Sequence, residues 1–244
     1  MQTRRERVRQ AAIDEIKTIA WEIANEHGMD DVTVNGITKR MGMTPPAFYS
    51  YFKSRDDLIK SLVIDSYGSY RQSLITARDS VPGRDIAGRL YHVFIAYREW
   101  AITNPNLFGL FAGRVVHGFN PPEPEVIEEA EKVYAIFVDL YNDAWQQGLI
   151  KKPRMELKMP MAYLDQIKKA TESRKLDVPV EVANLISNTA CLVHGMISME
   201  LSGRLVGLVG DTFHFYQFQI LDLLKRFGMD YAPDSESQEP IHPL

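Results

Sequence analysis

Cysteine is nearly missing from this chain: Cys191 is the only one. An intramolecular disulfide is therefore impossible, and a cysteine-built metal site lacks its ligands. Strand signals are missing too, since alternating Val/Ile/Thr runs do not occur and apolar residues recur at helical spacing. There is no excess of positive charge. With 28 Lys and Arg against 32 Asp and Glu the formal net charge is -4, which argues against a non-specific nucleic-acid binder working through a general basic field. Any such binding has to use local charge. The segment Met1 to Arg7 lacks the apolar core of a signal peptide. No uncharged apolar run approaches the roughly 20 residues of a membrane helix, so we expect a cytoplasmic protein with no membrane partner. No repeat of fixed period is found. The histidines, at positions 27, 92, 117, 194, 214 and 242, form no close pair at ligand spacing, so neither metal nor cofactor is expected.

What is present is apolar and helical. Hydrophobic residues make up 45% of 244, enough for a substantial core. The pattern predicts an all-α protein in three parts: a small three-helix domain over residues 1–53, a larger helical domain over 54–229, and a disordered tail over 230–244. The tail carries Asp234, Glu236 and Glu239 among Pro, Ser and Gln. A first helix is predicted from Arg4 to His27, with Val8, Ala12, Ile16, Ile19, Ala20 and Ile23 in one stripe and Gly28 as its stop. A short second helix runs from Thr33 through Met41. A third begins at Thr44, and a fourth from Ser54 to about Ala77 has Asp56 and Asp57 in its first turn. Later segments are Arg84 to Asn104, Asn106 to His117, Pro124 to Gly148, Val180 to Leu205 and Asp211 to Phe227. Between Ile150 and Pro179 the pattern is hardest to read, with one further helix from Met161 to Ser173.

Residues Thr33 to Phe52 carry the functional argument. A helix-turn-helix needs a small residue midway along its first helix, a glycine to turn the corner and an apolar plug after it. Thr38, Gly42 and Met43 meet those demands, and Ile37, Ala47 and Phe48 would pack the inner face. Thr44 is an N-cap before Pro45, and the prolines at the first two helical positions lose no intrahelical hydrogen bond there. The proline pair presents a rigid apolar tip suited to thymine methyl groups, with mild strain expected at the helix start. Tyr49 and Tyr51 can donate to phosphates, and Lys53 and Arg55 add charge-assisted bonds. Arg4, Arg5, Arg7 and Arg9 form a basic arm able to reach a backbone or a minor groove. Lys39 and Arg40 add charge on the supporting helix. Positive charge thus gathers locally despite the acidic total.

Thr33, Gly42-Met43-Thr44, Tyr49-Ser50-Tyr51-Phe52, Arg55 and Leu58 closely resemble the TetR (tetracycline-repressor-like) family of bacterial transcription regulators. The likeness covers about the first quarter of the chain. Thr38 stands where that family usually has alanine, and Pro46 where a small or polar residue is common. The resemblance implies that Thr33, Thr44, Tyr49, Tyr51 and Arg55 touch phosphates while Pro45, Pro46 and Ser50 face base edges. It further implies a homodimer on a palindromic operator, usually a repressor, released when a ligand moves the DNA-reading helices apart. Leu192 to Leu201, with His194-Gly195, is similar to a subgroup of C-terminal domains in which a tryptophan precedes His-Gly (WHG-like). Ala190 occupies the tryptophan's place.

The larger domain reads less sharply. Val180 to Leu205 and Asp211 to Phe227 are the candidate dimer helices, since two per subunit would build a four-helix bundle across a two-fold axis. Candidate lining residues of an effector pocket are Trp100, Phe108, Phe111, Tyr134, Phe137, Tyr141, Trp145, Met196 and Met199, which suit an adaptable apolar cavity and a plain helical core equally well. His194 is a candidate polar anchor, with Arg98, Arg114 and His117. The effector expected is a small hydrophobic molecule. An enzyme is the rival reading: Cys191 and His194 share a helix face, yet no third orienting group accompanies them, and a cysteine buried in a helix is usually inert. A metal sensor and a constitutive regulator without an effector are weaker rivals.

Overall fold

The computed structural model describes residues 3–111, 124–152 and 158–233. Among these residues every regular element is a helix. The chain packs as two compact units, one of Met1–Ser69 with Asn104–Ala130 and the other of Tyr70–Thr103 with Glu131–Leu244.

The first unit opens with α1, Arg4–His27. Its start is fixed by a reciprocal capping box that the apolar pattern does not signal. The Thr3 side chain accepts from Glu6 N, and the Glu6 carboxylate accepts from Thr3 N at 2.7 Å. Gly28 ends the helix with φ +95°, a conformation that costs a side-chain-bearing residue energy. A 3-10 turn over Met29–Asp31 follows, then α2, Val34–Met41, capped by Thr33 accepting from Gly36 N at 3.1 Å. Gly42 sits in the left-handed region at φ 65°, ψ 24°, and turns the chain into α3, Pro45–Phe48. Thr38 is buried where the helices cross.

Helix α4, Arg55–Asp79, supplies Leu58, Ile59, Leu62 and Val63 to the core around Ile16, Ala20, Ile37 and Phe48. These contacts carry the compact first unit along α4 to Ser69. Full burial of side chains of this size contributes roughly 1.5–3 kcal/mol each. Lys17 on α1 and Asp65 on α4 form an ion pair at 2.7 Å on the rim. Helix α6, Pro105–Phe111, starts on its proline, one residue before the expected Asn106. The expected remainder of that helix, with Arg114 and His117, lies outside the described residues.

In the second unit, α5 (Ile86–Thr103) is buried along most of its length. It packs with α9 (Val180–Leu201) and α11 (Thr212–Phe227), and α9 packs in turn with α8 (Met161–Ser173); α7 (Pro124–Gln146) belongs to this unit from Glu131 on. Helix α8 has the boundaries expected of it. Helix α9 stops at Leu201 rather than Leu205, because Gly203 takes φ +71°; a short α10, Val206–Val209, fills the connection. Helix α11 begins at Thr212, since Asp211 is its cap and accepts from His214 N at 2.9 Å. By length and composition α9 could cross a membrane, with a mean hydropathy of 1.2 over its most apolar stretch. Val182, Ala183, Ile186, Val193, Met196 and Ile197 along it are nevertheless buried within the unit. The expected tail lies, from Asp234 on, outside the described residues.

Candidate nucleic-acid interface and sensor core

The tip of the helix-turn-helix is built outward from a buried anchor. Phe48 is fully buried and stacks on Phe52 at 5.7 Å, which fixes the axis of α3. Thr44, Pro45 and Pro46 are exposed beside it. Thr44 has the extended backbone of an N-cap at φ -85°, ψ 150°, yet its hydroxyl makes no capping bond. The sequence explains this. Pro46 has no N–H to donate, and the Ala47 N–H goes to the Thr44 carbonyl at 2.9 Å. The Thr44 hydroxyl is left outside the helix cap. Tyr49 is 54% exposed, with its ring edge-on to Phe48 at 5.6 Å, so its phenol points away from a rigid base. Lys53 is exposed as well, and its backbone N–H donates to Asp57 at 3.0 Å. Thr33 is exposed at the start of α2 with its oxygen engaged by Gly36 N.

The basic arm, Arg4, Arg5, Arg7 and Arg9, lies within α1, whose expected start at Arg4 is fixed by the capping box. Other expected contacts are placed differently. Arg55 turns inward. Its Nε donates to the Val32 carbonyl at 2.5 Å and its Nη2 to the Met29 carbonyl at 3.0 Å, bracing the entry to α2 from the start of α4. Arg40 is bound by Glu26, with Glu22 at 3.9 Å, so its charge is largely cancelled; that pairing holds the Glu26 carboxyl below the usual range. Ser50 is exposed, but its hydroxyl donates to the Ala47 carbonyl at 2.7 Å and keeps only acceptor capacity. Tyr51 is half-buried, with the Arg9 guanidinium carbon 5.5 Å from its ring centroid.

In the second unit the candidate lining residues separate into groups. Trp100 is buried with its ring 4.9 Å from Tyr70, which stands equally close to Tyr97. The Tyr97 hydroxyl is 2.7 Å from His194 Nδ1. Partial burial pushes His194 below the ordinary imidazole range, favouring the neutral ring. Tyr97 was not anticipated, although its place three residues before Trp100 puts both on one face of α5. Phe137 meets Phe94 at 5.5 Å, and Tyr141 is buried 5.3 Å from Phe227, its phenol pushed up by desolvation. Tyr134 and Trp145 are half-buried, and Arg174 lies over the Tyr134 ring at 4.9 Å. Met196 is buried, while Met199 is exposed rather than enclosed. Phe108 is buried but belongs to the first unit, and the Phe111 side chain lies outside the described residues.

Arg98, a candidate effector anchor, is instead the centre of a buried ion pair. Its Nε and Nη2 donate to the two Glu200 oxygens at 2.9 and 2.5 Å, and Thr212 Oγ1 donates to Glu200 Oε1 at 2.6 Å. Phe213 and Tyr216 flank the guanidinium at 5.1 and 5.8 Å. Cys191 is exposed, not buried as a core cysteine would be, and His194 Nδ1 is engaged by Tyr97. Among the described residues no three His, Cys, Asp or Glu side chains gather as a metal site. Apolar side chains stand exposed on the two helices expected to dimerise, Leu192 on α9 and Phe218 on α11 at 40 and 65%, and on the short α10 between them, where Leu208 is 73% exposed.

Residues 18–62 match the tetR family of bacterial regulatory proteins, and residues 90–223 match the tetracyclin repressor-like C-terminal domain. The HTH-type transcriptional regulators Rv1816 of Mycobacterium tuberculosis and Mb1846 of Mycobacterium bovis are each 30% identical to the chain over 114 residues. That alignment takes in 47% of this chain and 49% of the relative, so the chain spans about half the length of the curated relatives it matches. The crystal structure of SCO4313 superposes with a TM-score of 0.73 at 31% identity, covering 91% of this chain and all of that one. A protein of unknown function from Rhodococcus sp. RHA1 shares the fold at a TM-score of 0.69 and 14% identity, with 89% of this chain and 95% of that one covered.

Proposed function

Because the chain belongs to the tetR family of bacterial regulatory proteins, we propose that it represses transcription as a homodimer on a palindromic operator and is released by a small hydrophobic effector. The observation that carries the DNA reading is the exposed Thr44-Pro45-Pro46 tip with Tyr49 beside it, mounted on the fully buried Phe48. Pro45 and Pro46 face base edges, where apolar atoms favour thymine methyls, and Ser50 accepts from a base donor. Thr33, Thr44, Tyr49, Tyr51, Lys53, Arg4 and Arg5 hold phosphates. Arg55 serves the site indirectly, by bracing the backbone at Met29 and Val32 from which α2 starts.

The exposed Leu192, Leu208 and Phe218 support dimerisation through the last long helices, since apolar surface concentrated on neighbouring elements favours burial against a copy of itself. Two reading helices would then meet half-sites about 34–36 Å apart. The Tyr70, Tyr97, Trp100 and His194 cluster is the best candidate for effector contact, offering aromatic faces and a neutral imidazole rather than a charge. A repressor of this kind works in the cytoplasm. The test is a thermal-shift screen of apolar compounds: at least one compound that raises the unfolding temperature should also weaken operator binding. If every stabilising compound leaves DNA affinity unchanged, the effector reading fails.

A further inference from the structure

We propose that Arg9 is a positioning residue for DNA reading, which locks the trailing end of α3 and the ring of Tyr51 in place from α1 and is not itself a phosphate ligand; this rests on the DNA-binding reading above. Its Nη1 donates to the Ser50 carbonyl at 2.8 Å, across 41 residues of sequence. Its guanidinium lies over the Tyr51 ring. The carbonyls at the end of a helix lack intrahelical partners, and α3 is only 4 residues long, so it cannot stabilise its own exit. Both Ser50 N and Ser50 Oγ donate to the Ala47 carbonyl, at 3.2 and 2.7 Å. Tyr51 N and Phe52 N donate to the Phe48 carbonyl, at 2.9 and 3.1 Å. These bonds tighten the turn without using the Ser50 carbonyl, which Arg9 takes.

The donor is rigidly mounted. The Thr3 and Glu6 capping box fixes the start of α1, and Ile16 and Ala20 bury its middle in the core. Arg9 therefore reaches the exit of α3 from a fixed frame, and one planar group serves a carbonyl and an aromatic face together. A lysine cannot do both, because its ammonium is a point donor without a flat face. Arg9 is exposed like Arg4, Arg5 and Arg7 on the same helix, and differs from them in its bond to the Ser50 carbonyl.

Salt dependence separates the two roles. Losing a phosphate contact lowers the slope of log affinity against log salt by about 0.9 per contact, whereas losing a positioning residue lowers affinity and leaves the slope alone. For the full-length protein on its selected operator, Arg9→Ala should weaken binding about tenfold with the slope unchanged, and Arg9→Lys should restore little. A slope reduced by about 0.9 per half-site, full rescue by Arg9→Lys, or unchanged affinity would each overturn the proposal. A DNA-free measurement stands apart from the DNA-binding reading. Backbone hydrogen exchange at Ser50 to Lys53 should run several-fold faster in Arg9→Ala, with α1 protection retained. Unchanged exchange there would refute the lock even if no operator were found. Faster exchange in a protein that selects no operator would keep the lock and reject the DNA-binding reading.

Discussion

Replacing Glu200 by Gln tests how the second unit is held together. The change keeps the shape of the side chain and one oxygen to accept from Thr212, but sets an NH2 group against the Arg98 guanidinium. Arg98 is 6% exposed and Glu200 7%, so water cannot take over the lost interaction. Removing one partner of a buried pair typically costs about 3–5 kcal/mol, because an uncompensated charge stays behind. For a protein of this size 1 kcal/mol moves the melting midpoint by about 2–4 °C, which gives a fall of roughly 6–20 °C. The double replacement Arg98→Met with Glu200→Leu removes both charges and should recover most of that loss, since matched apolar side chains replace buried pairs at little net cost. Thermal unfolding followed by circular dichroism reads both variants. A Glu200→Gln midpoint within about 1 °C of the parent protein, or a double variant no more stable than the single one, would refute the reasoning.

Tyr49→Ala should weaken binding to all DNA sequences alike, by about tenfold or more per half-site, because a hydrogen bond to a charged phosphate is worth roughly 1.5–3 kcal/mol. Competition titrations against operator and scrambled duplex check this, and altered base preference without loss of affinity contradicts it. His194 gives a pH signature. Burial depresses its folded pKa, so the unfolded chain binds the extra proton first, and stability should fall as pH drops below about 6.5 towards the depressed value. In His194→Gln that part of the pH dependence should vanish from chemical denaturation curves. Losses from the carboxylates with lowered values, such as Glu26, Asp79 and Asp211, belong to a lower window, below their ordinary range near about 4.

The helix boundaries were legible in the sequence wherever a local device sets them. Gly28 and Gly42 are stops because each adopts a positive φ, and Thr33 is a cap because its oxygen reaches Gly36 N within one turn. The start of α8 after Pro160 is legible for a different local reason, the fixed φ of proline at a helix entry. What stayed hidden is pairing across distance. Arg55 finds its carbonyls 23 and 26 residues away, Arg9 finds Ser50 across 41, and Arg98 finds Glu200 across 102. Sequence spacing places each of these arginines on a helix but not its partner in space. All three therefore read as surface cations or ligand anchors until the fold showed what they hold. The aromatic residues of the second unit illustrate the same limit: Trp100 and Phe108 carry the same apolar signal yet fall in different units.

The central claim, that a pair of these chains reads DNA through the Thr44-Pro45-Pro46 tip, is tested most directly by selecting bound sequences from random double-stranded DNA with the full-length protein. The account predicts recovery of an inverted repeat with half-sites about one helical turn apart, and loss of base preference within each half-site when Pro45 and Pro46 are replaced by alanine. Recovery of no enriched sequence, or of an unrepeated site indifferent to those two prolines, would contradict it.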